Sequence, residues 1–227
     1  MKDIRAMRGR YYIQDLVSMG EHVGQDFKFA VSDPRKIARS VSAFANNSGG
    51  HLLIGVKDNG VIAGVRDADE EIYVVEQAAR RYCRPSQEVE FALFRVEHGV
   101  DVVRARIAPS EVHPVEVDEG RGKFRAYYRV ADENIAAHPL MTEAWHFRDS
   151  GPALSLTFEP GSLAADILDA LAERAMDVRQ LAIALHASAR AVRDTLVALS
   201  AARVTGFVFD GQAFVPAGAD SPGAFTI

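Results

Sequence analysis

Two hydrophobic patterns alternate along the first 150 residues of the chain. Polar and apolar positions alternate at 25–29, which predicts a strand, whereas apolar residues at helical spacing follow Asp33-Pro34. Asp33 caps a helix well and Pro34 suits its first turn, and the glycines at 49 and 50 predict where that helix ends. Strands and helices mixed in this way predict an α+β fold, with helices flanking a mixed sheet.

The remaining elements of this region follow from turn and charge signals. Asn59-Gly60 favours a tight turn, which predicts a hairpin between apolar runs at 51–56 and 61–65. Acidic residues near Asp69 and arginines before Cys83 predict a second helix between them. Further strands are predicted at 89–97, 100–107, 114–117 and 124–130.

The pattern changes after a turn-rich stretch between residues 150 and 160. Three helices are predicted at 164–175, 178–185 and 189–203, followed by two short strands about Asp210-Gly211. Three helices followed by a hairpin are typical of a winged helix-turn-helix. We therefore expect one domain at 1–150, a small winged-helix domain at 160–216 and a flexible tail at 217–227.

Composition narrows the class of protein. The chain has 227 residues, of which 26 are basic and 31 acidic, and the net charge of −5 excludes a uniformly basic protein. No run of apolar residues is long enough to span a membrane, so no membrane partner is expected. One cysteine, Cys83, cannot form an internal disulfide, and no secretory leader is evident, which together predict a cytoplasmic protein.

Basic residues in the first domain form three groups that could bind phosphates. The groups are Arg5, Arg8 and Arg10; Arg80, Arg81 and Arg84; and Arg121, Lys123, Arg125 and Arg129. If they meet on one face, they provide a site for a polyanion whose affinity falls with salt. The alternative is that these charges are scattered over the surface.

The predicted winged helix offers a second set of candidates. Arg190 and Arg193 would face outward near the start of its third helix, where recognition helices contact base edges. Ser188 would cap that helix and could touch a phosphate, as could Arg179. Acidic residues outnumber basic ones in this half, so a dimerisation or partner-binding module is the alternative.

The segment from Asn46 to Gly50 is a candidate phosphate loop. Its backbone N–H groups at Asn46, Ser48, Gly49 and Gly50 could cradle an anion, which would make the protein a nucleotide or small-ligand sensor coupled to the winged helix. The alternative is a helix C-cap leading into a strand.

Three stretches together resemble a known family. Residues 21–28, 42–64 and 126–134 resemble the Schlafen-type AlbA_2 domain, a nucleic-acid-binding domain that bacteria often join to a C-terminal winged helix in transcriptional regulators. The resemblance implies DNA or RNA as partner and no cofactor, with Lys28, Arg125 and Arg129 as backbone contacts. It also implies pairing into a homodimer, which a palindromic operator would require.

The same resemblance raises an enzymatic alternative. Some animal Schlafen proteins are implied to cut RNA with three carboxylates, and Glu21 and Asp26 match the first two. Asp58 is the candidate for the third, Lys28 would steady the phosphate, and the three carboxylates would hold Mg²⁺ or Mn²⁺. Asp26 departs from the family, which usually has Glu there. The alternative is that these side chains are solvated or ion-paired.

Overall fold

The computed structural model describes residues 6–150 and 156–227, without the side chain of Ser150. The chain divides into two compact units, Met1–Ala136 and Ala137–Ile227, called here the N-terminal and C-terminal units. The elements of the N-terminal unit are β1 (Met7–Arg8), α1 (Arg10–Ser18), β2 (Gln25–Lys28), α2 (Pro34–Ala45), β3 (Gly50–Ile54), α3 (Ala68–Gln77), β4 (Cys83–Arg84), β5 (Val89–Glu97), β6 (Val100–Ile107), β7 (Glu116–Gly120), β8 (Lys123–Val130) and β9 (Glu133–Ala136). The elements of the C-terminal unit are α4 (Pro139–Ser150), α5 (Leu163–Glu173), α6 (Val178–Ala184), α7 (Ala189–Ala201), β10 (Thr205–Phe209) and β11 (Phe214–Gly218).

The N-terminal unit contains two sheets. The first has the strand order β1-β5-β6-β3-β2 and is mixed, because β1 and β2 run parallel to their neighbours while the other pairs are antiparallel. The second has the order β4-β7-β8-β9 and is antiparallel throughout. The predicted α+β class is confirmed, although the strands are divided between two sheets rather than gathered in one.

Helix α2 lies at the centre of this unit. Its buried residues share one core with Leu52 of β3 in the first sheet and with Val117 and Tyr127 in the second sheet. Helix α1 packs on the other side of the first sheet, where Ile13 and Phe27 belong to a separate core. The first sheet is therefore covered on both faces, and α2 joins it to the second.

The predicted signals at both ends of α2 are confirmed. The side chain of Asp33 accepts hydrogen bonds from the backbone N–H groups of Arg35 and Lys36, with Pro34 at the helix start. At the other end, Gly49 has a φ of +78° and its N–H donates to the carbonyl of Phe44. That left-handed conformation favours glycine, so the chain turns there into β3.

Two predicted elements differ from the structure. The turn before Gly60 forms, but the chain after it makes only one isolated bridge, between Val56 and Ile62, instead of a second strand. The helix predicted to reach Cys83 ends as a π-helical segment, Ala78–Tyr82, and Cys83 begins β4. Apolar spacing does not distinguish these local geometries from a regular hairpin or helix.

The C-terminal unit consists of helices followed by an antiparallel hairpin. α5, α6 and α7 occur close to the predicted positions, and β10 pairs with β11. Helix α4 packs against α7, so this unit begins at Ala137, before the boundary expected between residues 150 and 160. None of the described helices is long and apolar enough to cross a lipid bilayer.

The expectation of a flexible tail at 217–227 is wrong. Ala217 is buried within β11, and Phe225 exchanges two backbone hydrogen bonds with Phe207 of β10, at 2.9 and 3.0 Å. The carbonyl of Ile227 accepts hydrogen bonds from Arg148 and Arg203. The Gly and Pro content of this segment suggested a loose tail, but its backbone hydrogen bonds and the buried Ala217 and Ile227 tie it to the C-terminal unit.

Candidate nucleic-acid interface

Asp26 lies in a buried cluster of charged and polar side chains between β2 and α2. The residue is 3% exposed, and one carboxylate oxygen accepts a hydrogen bond from Ser40 Oγ at 3.3 Å. The other oxygen accepts from Lys28 Nζ at 2.9 Å and lies 3.6 Å from Arg129 Nη2. Two cations therefore compensate the charge of this carboxylate.

Glu21 joins the same cluster from the loop before β2. One of its oxygens accepts the backbone N–H of Phe27 at 2.8 Å. Burial is the main cause that raises the pKa of Glu21, and the neighbouring Asp26 raises it further.

Asp58 does not join Glu21 and Asp26, contrary to the prediction. It is exposed in the turn before Gly60, and a Cβ on Gly60 would lie 3.3 Å from Val17 of α1. The turn thus lies on the α1 side of the first sheet, whereas Asp26 points to Ser40 of α2. A short turn cannot reach across the sheet.

The predicted metal site is not assembled. Nowhere in 6–150 and 156–227 do three or more His, Cys, Asp or Glu side chains lie close enough to hold a metal ion. The oxygens of Asp26 are already committed to Lys28, Ser40 and Arg129. Glu21 and Asp26 therefore do not fit Mg²⁺ or Mn²⁺, which prefers several free oxygen ligands.

Arg129 was predicted as a phosphate contact, and the structure buries it instead. The residue is 1% exposed, and its guanidinium donates to the carbonyls of His22 and Gln25 and to Asn134 Oδ1, at 2.9 to 3.1 Å. Its Cζ also stacks 4.8 Å from the ring centre of Phe44. With every arm of the guanidinium engaged, Arg129 cannot reach an external phosphate.

The ammonium group of Lys28 is also partly engaged in hydrogen bonds within the protein. Its Nζ donates to Asp26 and to the carbonyl of Phe27, and its side chain is 32% exposed. One donor of the ammonium group remains beyond these two bonds.

The candidate phosphate loop is engaged in holding the fold. The amide of Asn46 donates to the carbonyls of Val115 and Tyr127, both at 2.9 Å, and its oxygen accepts the N–H of Val115 at 2.7 Å. Asn46 thus ties the end of α2 to the second sheet, as a buried amide must find partners for all its groups.

Three of the four candidate backbone N–H groups of this loop are also occupied. Those of Asn46 and Gly49 donate to helix carbonyls, and that of Ser48 donates to the side chain of Asn47. A Cβ on Gly50 would lie 2.3 Å from Phe44, so this glycine is required for close packing. The structure supports the C-cap interpretation and leaves no cradle for an anion at these groups.

Five basic residues lie at one end of the second sheet. Arg121 occupies the turn between β7 and β8, and Lys123 and Arg125 follow it on β8, all three exposed. Arg84 joins them from β4, the other neighbour of β7, and Arg35 joins them from α2 by donating to the carbonyl of Asp118 at 3.0 Å. We call these five residues the basic hairpin.

The nearby carboxylate of Glu119 is bonded mainly to residues outside the basic hairpin. Glu119 binds Arg39 through two hydrogen bonds, at 2.6 and 2.9 Å, and accepts the hydroxyl of Tyr127. The contact with Arg39 lowers the pKa of Glu119, so this carboxylate is ionised and already paired. Within the described part of the chain, no residue of the basic hairpin forms a side-chain ion pair.

Two of the three basic groups seen in the sequence thus contribute residues to the same end of the second sheet. Arg84 represents the second group, and its pairing partner Glu116 lies on the hairpin strand β7. Arg8 and Arg10 lie instead at β1 and the start of α1, where Arg10 pairs with Glu97 at 3.6 Å. Arg5 lies outside the described residues. Arg35 was missed, because the contact that brings it to the hairpin joins positions 83 residues apart.

In the C-terminal unit, α7 exposes the predicted arginines on one side. Val192, Leu196 and Leu199 are buried, and Ser188 caps the helix by accepting the N–H of Ala191. Arg190 lies 3.8 Å from Asp194 and is almost fully exposed.

Arg193 is not free on this surface. Its guanidinium is hydrogen-bonded to the carboxylate of Glu143 on α4. Arg179 is exposed in the first turn of α6.

Comparison with known proteins identifies the family of the N-terminal unit. The chain is similar to the DIP2311 protein of Corynebacterium diphtheriae, with a TM-score of 0.42 and 21% identity, over 65% of this chain and 34% of that one. It is also similar to the N-terminal domain of a protein named as related to the ATP-dependent DNA helicase RecG, from Nitrosomonas europaea. There the TM-score is 0.42 and the identity 17%, over 69% of this chain and 99% of that domain. No curated protein sequence matches the chain. The sequence model of the family described as Schlafen, AlbA_2 matches residues 21–138, which is more than half of the chain. The chain therefore belongs to the Schlafen AlbA_2 family.

Proposed function

We propose that this protein binds nucleic acid, with the basic hairpin as the surface that contacts the phosphate backbone. The observation that carries the proposal is the gathering of five basic side chains from α2, β4 and the β7–β8 hairpin without a carboxylate partner among the described residues. Cations held close together and left unpaired lower the free energy of a bound polyanion by releasing its counterions.

Membership of the AlbA_2 family supports the same function, since the resemblance noted in the sequence is to a nucleic-acid-binding domain. The acidic net charge of −5 does not oppose it, because the field that a ligand meets is local. Of the residues predicted to touch the backbone, the proposal keeps Arg125, assigns Lys28 a secondary contact and leaves Arg129 out.

The finer part of the proposal concerns the C-terminal unit. We propose that it acts as a winged helix, with Arg190 and Arg193 reading base edges and Ser188 and Arg179 touching phosphates, in a cytoplasmic transcriptional regulator. Its three helices and antiparallel hairpin, with the arginines on the exposed side of α7, support this role. A homodimer would then match a palindromic operator.

Replacing two cations of the basic hairpin tests the main proposal. The double variant Lys123→Ala/Arg125→Ala should bind a fluorescent duplex DNA at least about tenfold more weakly at low salt than the wild type. The slope of log K against log salt should also fall by about 2, since each phosphate contact contributes about 0.9. Fluorescence anisotropy over a salt series measures both.

The matched control is Lys57→Ala/Arg66→Ala, which removes two exposed cations from outside the basic hairpin. It changes the net charge by the same amount and should leave the slope unaltered. If the control and the test variant weaken binding equally, only net charge matters and the basic hairpin is not the interface.

A further inference from the structure

Phe124 is an exposed aromatic residue in the middle of the basic hairpin. It lies on β8 between Lys123 and Arg125, and 36% of its surface remains accessible to solvent. Successive strand residues point to opposite faces, so Phe124 points away from the side on which Lys123 and Arg125 lie. All three are exposed, so both faces of the strand end are open to solvent.

Arg84 holds the ring of Phe124 in place. Its guanidinium carbon lies 4.5 Å from the ring centre, at the distance of a cation–π contact. Although Arg84 lies over the ring, about a third of the residue remains open to solvent. The basic hairpin thus presents an exposed aromatic ring beside Arg84, on the face opposite to Lys123 and Arg125.

A nucleobase is the group that such a surface fits. Bases stack on aromatic rings with little dependence on sequence, while their phosphates pair with neighbouring lysines and arginines. In a duplex the faces of the bases are covered by their neighbours, so only a single strand can offer one to the ring. A purely electrostatic duplex surface would not need an aromatic ring at this point.

We propose that the basic hairpin binds a single-stranded segment of nucleic acid and stacks one base on Phe124, opposite Arg84. This inference rests on the proposed function and specifies its ligand. Arg84 has two roles, since it orders the ring and adds a cation near the backbone of the strand.

Binding of the full chain to three oligonucleotides of equal length tests the proposal. The probes are oligothymidylate, the same strand with abasic sites in its middle, and a duplex. Phe124→Ala should weaken binding of oligothymidylate about fivefold or more, which is the lower end of the effect of removing one base–aromatic stack. It should change binding of the abasic strand and of the duplex less than about twofold, and leave the salt slope unaltered. Oligouridylate in place of oligothymidylate shows whether RNA is taken as well as DNA.

Two further variants isolate stacking from other effects. Phe124→Leu keeps an apolar side chain but loses the aromatic face, so it should lose as much affinity as Phe124→Ala. Phe29→Ala is the matched control, because Phe29 is also exposed and also lies under a cation, Lys57 at 5.5 Å, but outside the basic hairpin. Its affinity for oligothymidylate should equal that of the wild type, and thermal melting confirms that each variant is folded.

The outcomes separate this inference from the proposed function. Equal weakening of all three probes by Phe124→Ala, no weakening of any, or full affinity in Phe124→Leu would overturn the stacking role while leaving the basic hairpin as a phosphate-binding surface. If the wild type binds none of the probes at low salt, the proposed function itself fails.

Discussion

At the scale of single residues, two arginines four positions apart on β8 lie in different environments. Arg125 and Arg129 lie on the same side of β8, yet Arg125 is exposed and Arg129 is buried against Phe44. The difference arises because the inner half of β8 packs on α2 while its outer end extends beyond the helix. Strand alternation predicts the shared side but not the depth at which each residue lies.

Arg129→Ala should therefore act on stability. Removal of a buried, hydrogen-bonded cation beside Asp26 is expected to cost about 3–5 kcal/mol of unfolding free energy. Arg125→Ala is the matched change and should cost no more than about 0.5 kcal/mol. Urea denaturation followed by circular dichroism measures both, and a loss for Arg129→Ala as small as for Arg125→Ala would contradict the structural role.

Glu21 gives a prediction about pH. Burial and the neighbouring Asp26 raise the pKa of Glu21 above 4.5. Just above pH 4.5, the folded protein therefore keeps a proton that the unfolded chain releases. That contribution to stability is fully present below the unfolded pKa and is lost as the pH rises through the folded pKa. In Glu21→Gln the side chain stays neutral at every pH. Its amide oxygen can still accept the backbone N–H of Phe27, and its NH₂ group can donate to the carboxylate of Asp26.

The unfolding free energy of Glu21→Gln should thus rise relative to that of the wild type between about pH 4 and pH 7. Urea titrations across that range provide the measurement. A difference between the two proteins that is constant with pH would show that folding does not raise the pKa of Glu21.

At the scale of elements, α4 restrains the candidate recognition helix α7. Glu143 of α4 holds Arg193, which is the residue proposed to read bases. If α7 contacts DNA, Glu143→Gln should tighten binding about two- to fivefold, because a partly exposed ion pair is worth up to about 1 kcal/mol. Anisotropy with duplex DNA provides the measurement.

The control for this prediction is Glu173→Gln, which removes one exposed carboxylate from α5 of the same unit. It should leave affinity unchanged, and combining Glu143→Gln with Arg193→Ala should abolish the gain. Equal gains in DNA affinity from Glu143→Gln and Glu173→Gln would show that the effect arises from net charge alone.

At the scale of the whole molecule, local signals predicted most elements but not how they assemble. The cap at Asp33-Pro34 and the turn at Asp210-Gly211 depend on neighbouring residues, and α2 and the β10–β11 hairpin follow from them. The position of Arg35 beside the basic hairpin, the separation of Asp58 from Asp26 and the burial of Arg129 depend on contacts between distant segments. Single-sequence patterns carry no record of such contacts, so they predicted the basic strand β8 but not that Asp58 lies apart from Glu21 and Asp26.

The central place of α2 has a consequence for how the N-terminal unit opens. Ile37, Val41 and Phe44 belong to one core with residues from both sheets, so neither sheet can detach without exposing the helix to water. The amide hydrogens of α2 should accordingly exchange with deuterium only when the entire unit unfolds. A truncation that removes β7–β9 would expose the apolar surface of α2 to solvent. We expect such a fragment to aggregate rather than to form a smaller soluble domain.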